Sequence, residues 1–372
     1  MARTVVNLCN HLAPSHDVEL VSLFRSRHTP RFAHHPELEV TVLHPTPRRP
    51  SRLRGRISAR PSRLQPAPGE PRMNRLTDLL LRRHLATVGD GVIVSTRPSL
   101  HLAALQLASR GAAVVVGQDH GHFDARYENP RLAAVLDWAV PRLDALAVLT
   151  EADATDYRAR YPDAADRIRH LPNALPWPIP EVPAPLDVKV VVTAGRLDVN
   201  KGHARMIRAF APVAERHPEW QLHIYGAGSE DRAIEGLIDE LGLVGRVRLM
   251  GYTLDLRGVL SQASVYALAS YSESFSMSLI EAMSVGLPPV AMDCPRGPRE
   301  IVDDGVNGFL VPDDDGEAFT AALLRLVEDE ALRRSLGARA HRDSQRWSMS
   351  AVGRAWERLL VERTRRLDGR AG

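Results

Sequence analysis

The feature that most constrains this chain is an alternation. Short, nearly continuous apolar runs follow one another, with segments of helical period between them. Runs such as 112–117, 145–150, 188–194, 265–268 and 289–292 have no polar face. A strand that is apolar on both faces belongs in a parallel sheet covered by helices on each side. Further strands are expected at 18–24, 38–43, 91–95, 168–171, 221–225 and 247–250. Helices are expected at 100–109, 129–140, 203–215 and 231–241. Prolines from Pro172 to Pro185 divide the pattern into two series. At 372 residues the chain is long enough for two cores. The expected class is therefore α/β, with two doubly wound, Rossmann-like domains at 1–180 and 181–346. Ligands are expected beyond the carboxyl ends of the strands, in a cleft between the domains. The segment 347–372 carries Val352, Trp356, Leu359 and Leu360 at helical spacing and should pack back on the first domain.

The opening residues break the pattern. Val5, Leu8, Cys9 and Leu12 have helical spacing, whereas a doubly wound sheet opens on a strand. The expectation is that a first strand and its glycine turn are missing from this sequence. Lys and Arg total 48 against 45 acids, a formal charge of +3, yet the bases are uneven. Between Arg48 and Arg83 the only acids are Glu70 and Asp78, and five prolines interrupt the stretch. It reads as a solvated Arg/Pro-rich loop over 45–75. Its functional alternative is contact with an anionic membrane surface or an anionic acceptor. It has no interleaved aromatics, which argues against nucleic acid. Cys9 and Cys294 have neither metal nor disulfide spacing. With no membrane-length apolar run and no secretory signal, the expected place is the cytoplasm or the inner face of the membrane.

The segment from Glu273 to Glu281 concentrates the chemistry. Two carboxylates flank the turn Ser274-Phe275-Ser276-Met277-Ser278, which runs into a helical pattern. If the turn starts a helix, its free N–H groups and dipole form an anion site. Carboxylates on either side can hold the hydroxyls that flank a bound phosphate. Gly195-Arg196-Leu197 and Lys201-Gly202 follow the first strand of the second series. Two cations there could neutralise a leaving diphosphate in place of a metal. Gly226 and Gly228 end the next strand and permit close backbone approach. In the first series His120 ends a strand and could bond a sugar hydroxyl or move a proton, with Asp119 as its rival. Asp313-Asp314-Asp315 reads as a capping turn rather than a metal site.

These residues together resemble the family 4 glycosyltransferases, which have the GT-B fold. The likeness rests on Gly195-Arg196-Leu197 with Lys201-Gly202, on Tyr225-Gly226-Ala227-Gly228, and on Glu273 to Glu281 continuing as Glu-Ala-Met. It extends through Gly286-Leu287-Pro288 and Asn307-Gly308-Phe309, and more weakly into the first domain. The resemblance implies that Arg196 and Lys201 hold a nucleotide diphosphate. Glu281 would bind ribose, Glu273 the donor sugar, and amides around Phe275 to Ser278 the phosphates. His120 would contact the sugar near the reacting centre. It further implies a hexosyl transfer that retains configuration, without metal or other cofactor. The expected donor is a nucleotide sugar, with UDP preferred to GDP because it is the commoner donor in such enzymes. The acceptor is expected to be a glycan, lipid or small molecule, and the basic stretch from Arg48 to Arg83 points the expectation toward cell-envelope or glycolipid synthesis. Two rival readings stand beside it: a nucleotide-sugar epimerase on the same fold, and an inactive truncated or scaffold protein.

Overall fold

The structure is a computed structural model that describes residues 2–25, 31–45, 52–64, 73–108 and 113–368. The chain divides into two compact units, one of residues 1–174 with 352–372 and one of 175–351.

The first unit opens with α1 (Ala2–Leu12), β1 (Glu19–Arg25) and β2 (Glu39–Pro45). Then come α2 (Arg52–Ser58), α3 (Arg75–Leu85), β3 (Gly91–Ser95), α4 (Pro98–Leu107) and β4 (Ala113–Gln118). It continues with α5 (Phe123–Tyr127), α6 (Pro130–Ala139), β5 (Ala145–Val148), α7 (Glu151–Arg160) and β6 (Ile168–His170). The pairs β1-β2 and the run β3-β4-β5-β6 are both parallel. Every residue of β5 is buried, as expected for a strand covered on both faces.

Two expectations are corrected here. The stretch 45–75 is not wholly a loop: α2 lies inside it, and Asn74 starts α3. The Asn74 side chain accepts from Leu76 and Thr77 N–H, while the Thr77 hydroxyl accepts from the Asn74 N–H. Residues 46–51 and 65–72 of this basic stretch lie outside the described residues. The strand foreseen over 145–150 ends at Val148, because Thr150 accepts from the Asp153 N–H and caps α7.

The second unit contains β7 (Val190–Ala194), α8 (His203–Arg216), β8 (Gln221–Tyr225), α9 (Asp231–Glu240) and β9 (Val247–Gly251). It continues with α10 (Leu256–Leu260), β10 (Val265–Leu268), α11 (Met277–Ser284), β11 (Pro289–Met292) and α12 (Pro298–Ile301). The strand β12 (Phe309–Val311), absent from the strands expected above, is followed by α13 (Gly316–Glu328) and α14 (Glu330–Asp343). The sheet is parallel, in the order β12-β11-β10-β7-β8-β9. The order reverses between β7 and β10, which are paired directly. In an open sheet of this kind a crevice forms outside the carboxyl ends of the strands at that reversal. The core includes Phe210, Trp220, Leu222, Ile224, Phe319 and Leu323.

The last helix, α15 (Met349–Asp368), starts in the second unit and runs through 352–368 in the first. In the first unit Glu362 pairs with Arg169, and Arg363 donates to the Asp166 carbonyl. No helix among the described residues is long and apolar enough to cross a membrane.

Candidate functional site

The loops after β7 and β10 carry the charged groups of the second unit. After β7 the chain runs through Arg196 to Gly202, and α8 begins at once. After β10 it runs through Ser270 to Ser276, where α11 begins. Because β7 and β10 are neighbours, residues 72 apart in sequence meet. Lys201 Nζ lies 2.6 Å from Glu273 Oε1, and the Ser270 hydroxyl donates to the same oxygen at 2.7 Å. The Glu273 side chain is 9% exposed and that of Lys201 21%. A carboxylate this far out of water needs such a charge-assisted partner and a second donor. The backbone of Glu273 is fixed as well. Its N–H donates to the Pro295 carbonyl, and its carbonyl accepts from Arg296 N–H, both at 2.6 Å.

Arg196, by contrast, points outward. Its side chain is 78% exposed and pairs with Asp198 at 2.8 Å. Its carbonyl is held by His203, whose Nε2 lies 3.1 Å away. Burial lowers the His203 pKa, and the bond to Arg196 opposes that only in part. The neutral ring then donates through Nε2 and tethers the Arg196 loop to α8.

The Ser-rich turn takes the form the anion-site reading requires. Ser276 precedes α11 with φ 66°, in the left-handed region, and is buried, and its hydroxyl has no partner. A serine held there is strained by roughly 1–3 kcal/mol. The N–H groups of the first turn of α11 are left without helical carbonyls of their own. Phe275 is buried, its ring against Trp347 with centroids 6.4 Å apart, so only its backbone is free to serve a ligand. Ser274, Met277 and Ser278 are half-buried around it. Glu281 is 1% exposed in the second turn of α11.

Gly226 has a packing reason of its own. A Cβ there would sit 1.8 Å from the Gly195 carbonyl oxygen, so the glycine lets the ends of β7 and β8 close on each other. Gly202 is more demanding. It has φ 62°, and a Cβ would lie 1.8 Å from the Ala269 carbonyl oxygen. Gly202→Ala is expected to cost about 2–4 kcal/mol by pushing α8 away from the β10 loop. Denaturant titration measures this, and an unchanged midpoint would refute the contact.

In the first unit His120 follows β4 and is half-buried. Its Nε2 is buried and without a partner, and burial pushes its pKa down to about 4. It is therefore neutral at pH 7 and available for one hydrogen bond. Its neighbour Asp119 is fully buried and does not serve as a free base. Arg126 Nε donates to both Asp119 oxygens at 3.0 Å, and the Tyr157 hydroxyl donates at 3.1 Å. The Gly121 N–H closes the set at 3.0 Å. Burial alone would raise the Asp119 pKa, but Arg126 outweighs it and holds the carboxyl below its ordinary 3.8. A Cβ on Gly121 would lie 2.5 Å from the Arg126 guanidinium carbon. His120 thus sits between Asp119, which is bound to Arg126, and Gly121, whose N–H is bound to Asp119. His122 is a helix cap for α5, accepting from Ala125 N–H.

Sequence reasoning did not find Ser270, His203, Arg205, Arg126 or Tyr157. They act through side chains brought together by tertiary structure, and no spacing announces them. Asp315 caps α13, as read beforehand. Among the described residues no group of His, Cys, Asp and Glu could hold a metal ion.

Comparison with known proteins gives this geometry a context. Residues 1–176 match the family described as Glycosyltransferase Family 4, and residues 179–343 match Glycosyl transferases group 1. An exopolysaccharide phosphotransferase of Streptomyces coelicolor is 33% identical over 98% of this chain, a match that spans 40% of that longer protein. D-inositol 3-phosphate glycosyltransferase of Corynebacterium jeikeium is 33% identical over 49% of this chain and 45% of its own length. Among solved structures, sucrose-phosphate synthase of Thermosynechococcus elongatus shares the fold with a TM-score of 0.76. It is 22% identical and is matched over 96% of this chain and 92% of its own. Anabaena HepE in complex with UDP has a TM-score of 0.73 at 18% identity, over 97% and 96% of the two chains.

Proposed function

Because the chain belongs to the family 4 glycosyltransferases, with the GT-B fold, we propose that it moves a sugar from a nucleoside-diphosphate sugar to an acceptor hydroxyl. The observation that carries this reading is the buried Glu273 carboxylate. It is held by Lys201 and Ser270 beside the start of α11, where the strand order reverses. In this reading the α11 N–H groups, Arg196 and Lys201 receive the diphosphate. Glu281 holds the ribose hydroxyls and Glu273 those of the sugar. The bond between the anomeric carbon and the diphosphate oxygen breaks as the acceptor oxygen attacks, and the leaving diphosphate takes the acceptor's proton. The positive charge comes from side chains and a helix end, so the reading includes no metal. Neutral His120 supplies a hydrogen bond to a sugar hydroxyl. We assign retention of configuration, UDP as the nucleotide and a cell-envelope or glycolipid acceptor, in the cytoplasm or at the inner face of the membrane. The acceptor class is suggested by a matched relative, a lipopolysaccharide core glycosyltransferase of Rhizobium meliloti, and UDP by the complex of HepE, while retention follows only from the family resemblance.

A panel of UDP and GDP sugars, followed by nucleotide release and calorimetry, tests the reading. UDP sugars should bind and release UDP. Arg196→Ala should weaken donor binding roughly tenfold, as for loss of one charge-assisted bond. The name of the Streptomyces relative brings in a second reaction. Transfer of a sugar phosphate breaks the diphosphate itself and releases a nucleoside monophosphate, so monophosphate as product would replace this reading. Conversion of the donor without acceptor would indicate an epimerase, and absence of any nucleotide binding a scaffold.

A further inference from the structure

Glu273 sits on a loop whose shape is set from outside. Residues 269–272 lie between the end of β10 and the start of α11, in neither element, so no ladder or helix of their own satisfies their backbone groups. Four bonds tie their backbone to the front of α8 and the turn before it. Arg205 Nε donates to the Ala269 carbonyl at 2.6 Å, and Arg205 Nη2 donates to the Ser270 carbonyl. Tyr271 N–H donates to the Asn200 carbonyl at 2.8 Å, and the Asn200 side chain donates to the Ser272 carbonyl at 2.9 Å. The Arg205 guanidinium also lies over the Tyr271 ring, 3.9 Å from its centroid. Its third nitrogen is anchored by Asp313 at 3.0 Å, on the turn after β12. The side chain is 10% exposed although Tyr271, which covers it, is 45% exposed.

We propose that Arg205 is the positioning residue of the donor site. Its fork holds the 269–273 loop in the conformation that presents Glu273 to Lys201. The proposal rests on the reading that Glu273 and Lys201 serve the donor. Arg205 does not touch that pair itself. It fixes two consecutive carbonyls and one ring, and the loop then has one way to place the Glu273 carboxylate. Lysine cannot replace it, because a point ammonium cannot bond two carbonyls and a carboxylate in one plane while stacking on a ring. A shift of about 1 Å in a group that orients substrate is enough to slow turnover about a hundredfold.

The test compares wild type with Arg205→Lys, and with Asp313→Asn, which removes the anchor's charge and leaves an amide oxygen that can still accept from Arg205. Hydrogen exchange is read on the protein without ligand, together with melting, UDP affinity and turnover of a UDP sugar. In Arg205→Lys the amides of 270–274 should exchange about tenfold faster or more. Those of β10 and the core of α8 should be unchanged, and UDP affinity should stay within about threefold, since UDP carries no sugar for Glu273 to hold. Turnover per unit KM should fall about ten- to a hundredfold. Asp313→Asn should show the same pattern, smaller. Unchanged exchange at 270–274 overturns the proposal. So does faster exchange across the whole second unit with a matching loss of melting temperature, which would make the role structural only. A wild type that binds no UDP sinks the donor reading, while the exchange result still decides whether Arg205 shapes the loop.

Discussion

Replacing Glu273 by alanine is expected to lower sugar transfer by about a thousandfold while UDP binding persists. Donors and acceptors aimed at a reacting sugar are realised most fully in the transition state, and losing one costs about 10²–10³ in turnover. Glu273 is also part of a buried set. Its removal leaves the Lys201 ammonium and the Ser270 hydroxyl without their acceptor. An uncompensated group of this kind costs about 1–3 kcal/mol, so a modest fall in stability should accompany the loss of activity. Lys201, no longer neutralised, becomes more available to a diphosphate, and UDP affinity should hold or rise. Glu273→Gln separates the two effects, because the amide still accepts from Ser270 but carries no charge. Nucleotide release and UDP calorimetry on both variants measure this. Wild-type turnover in Glu273→Ala would remove the carboxylate from the reaction altogether.

The second large effect is one of stability, in the first unit. Asp119→Ala is expected to cost about 3–5 kcal/mol, the usual penalty for breaking a buried ion pair and leaving one charge alone. Arg126 would lose its bidentate partner, and the Tyr157 hydroxyl and Gly121 N–H would lose their acceptor. The pH dependence has a definite sign. The folded pKa of Asp119 lies below the ordinary 3.8, so its contribution is complete above that value. It is lost as pH falls through the folded pKa. The stability gap between wild type and Asp119→Ala should therefore be constant from neutral pH down to about pH 5 and narrow only in stronger acid. Denaturant midpoints across that range test it. A gap below about 1 kcal/mol at pH 7 would show that water, and not Asp119, satisfies Arg126. Because Asp119 and Gly121 flank His120, the same variant should also disorder that histidine, which Asp119→Asn would preserve in part.

Much of the fold was legible because it is written in local periods. Residues 265–268 and 289–292 are apolar at every position, and both are buried strands with the bounds foreseen. The period of α8 and α9 likewise marks their extent to within a residue. What failed was decided by contacts a local pattern does not contain. The arginines near residues 52–58 looked like a solvated loop, yet form a helix packed beside α3. The strand β12 is three residues long and exists because β11 offers it a parallel edge.

The candidate site divides the same way. Read alone, the sequence determined which groups are available: Arg196 and Lys201 after one strand, Glu273 and Glu281 around a helix start, and His120 at the end of a third strand. Residue type and position relative to a strand end are local properties, and they suffice to name a chemistry. Only the tertiary structure decided that Lys201 and Glu273 bond to each other, that Ser270 shares the load and that Arg205 shapes their loop. Those pairings depend on strand order. The sheet sets β10 against β7, and a separation of 72 positions in sequence carries no trace of that adjacency. Gly202 and Gly226 make the same point, since their need for a missing Cβ comes from a carbonyl on a neighbouring strand's loop.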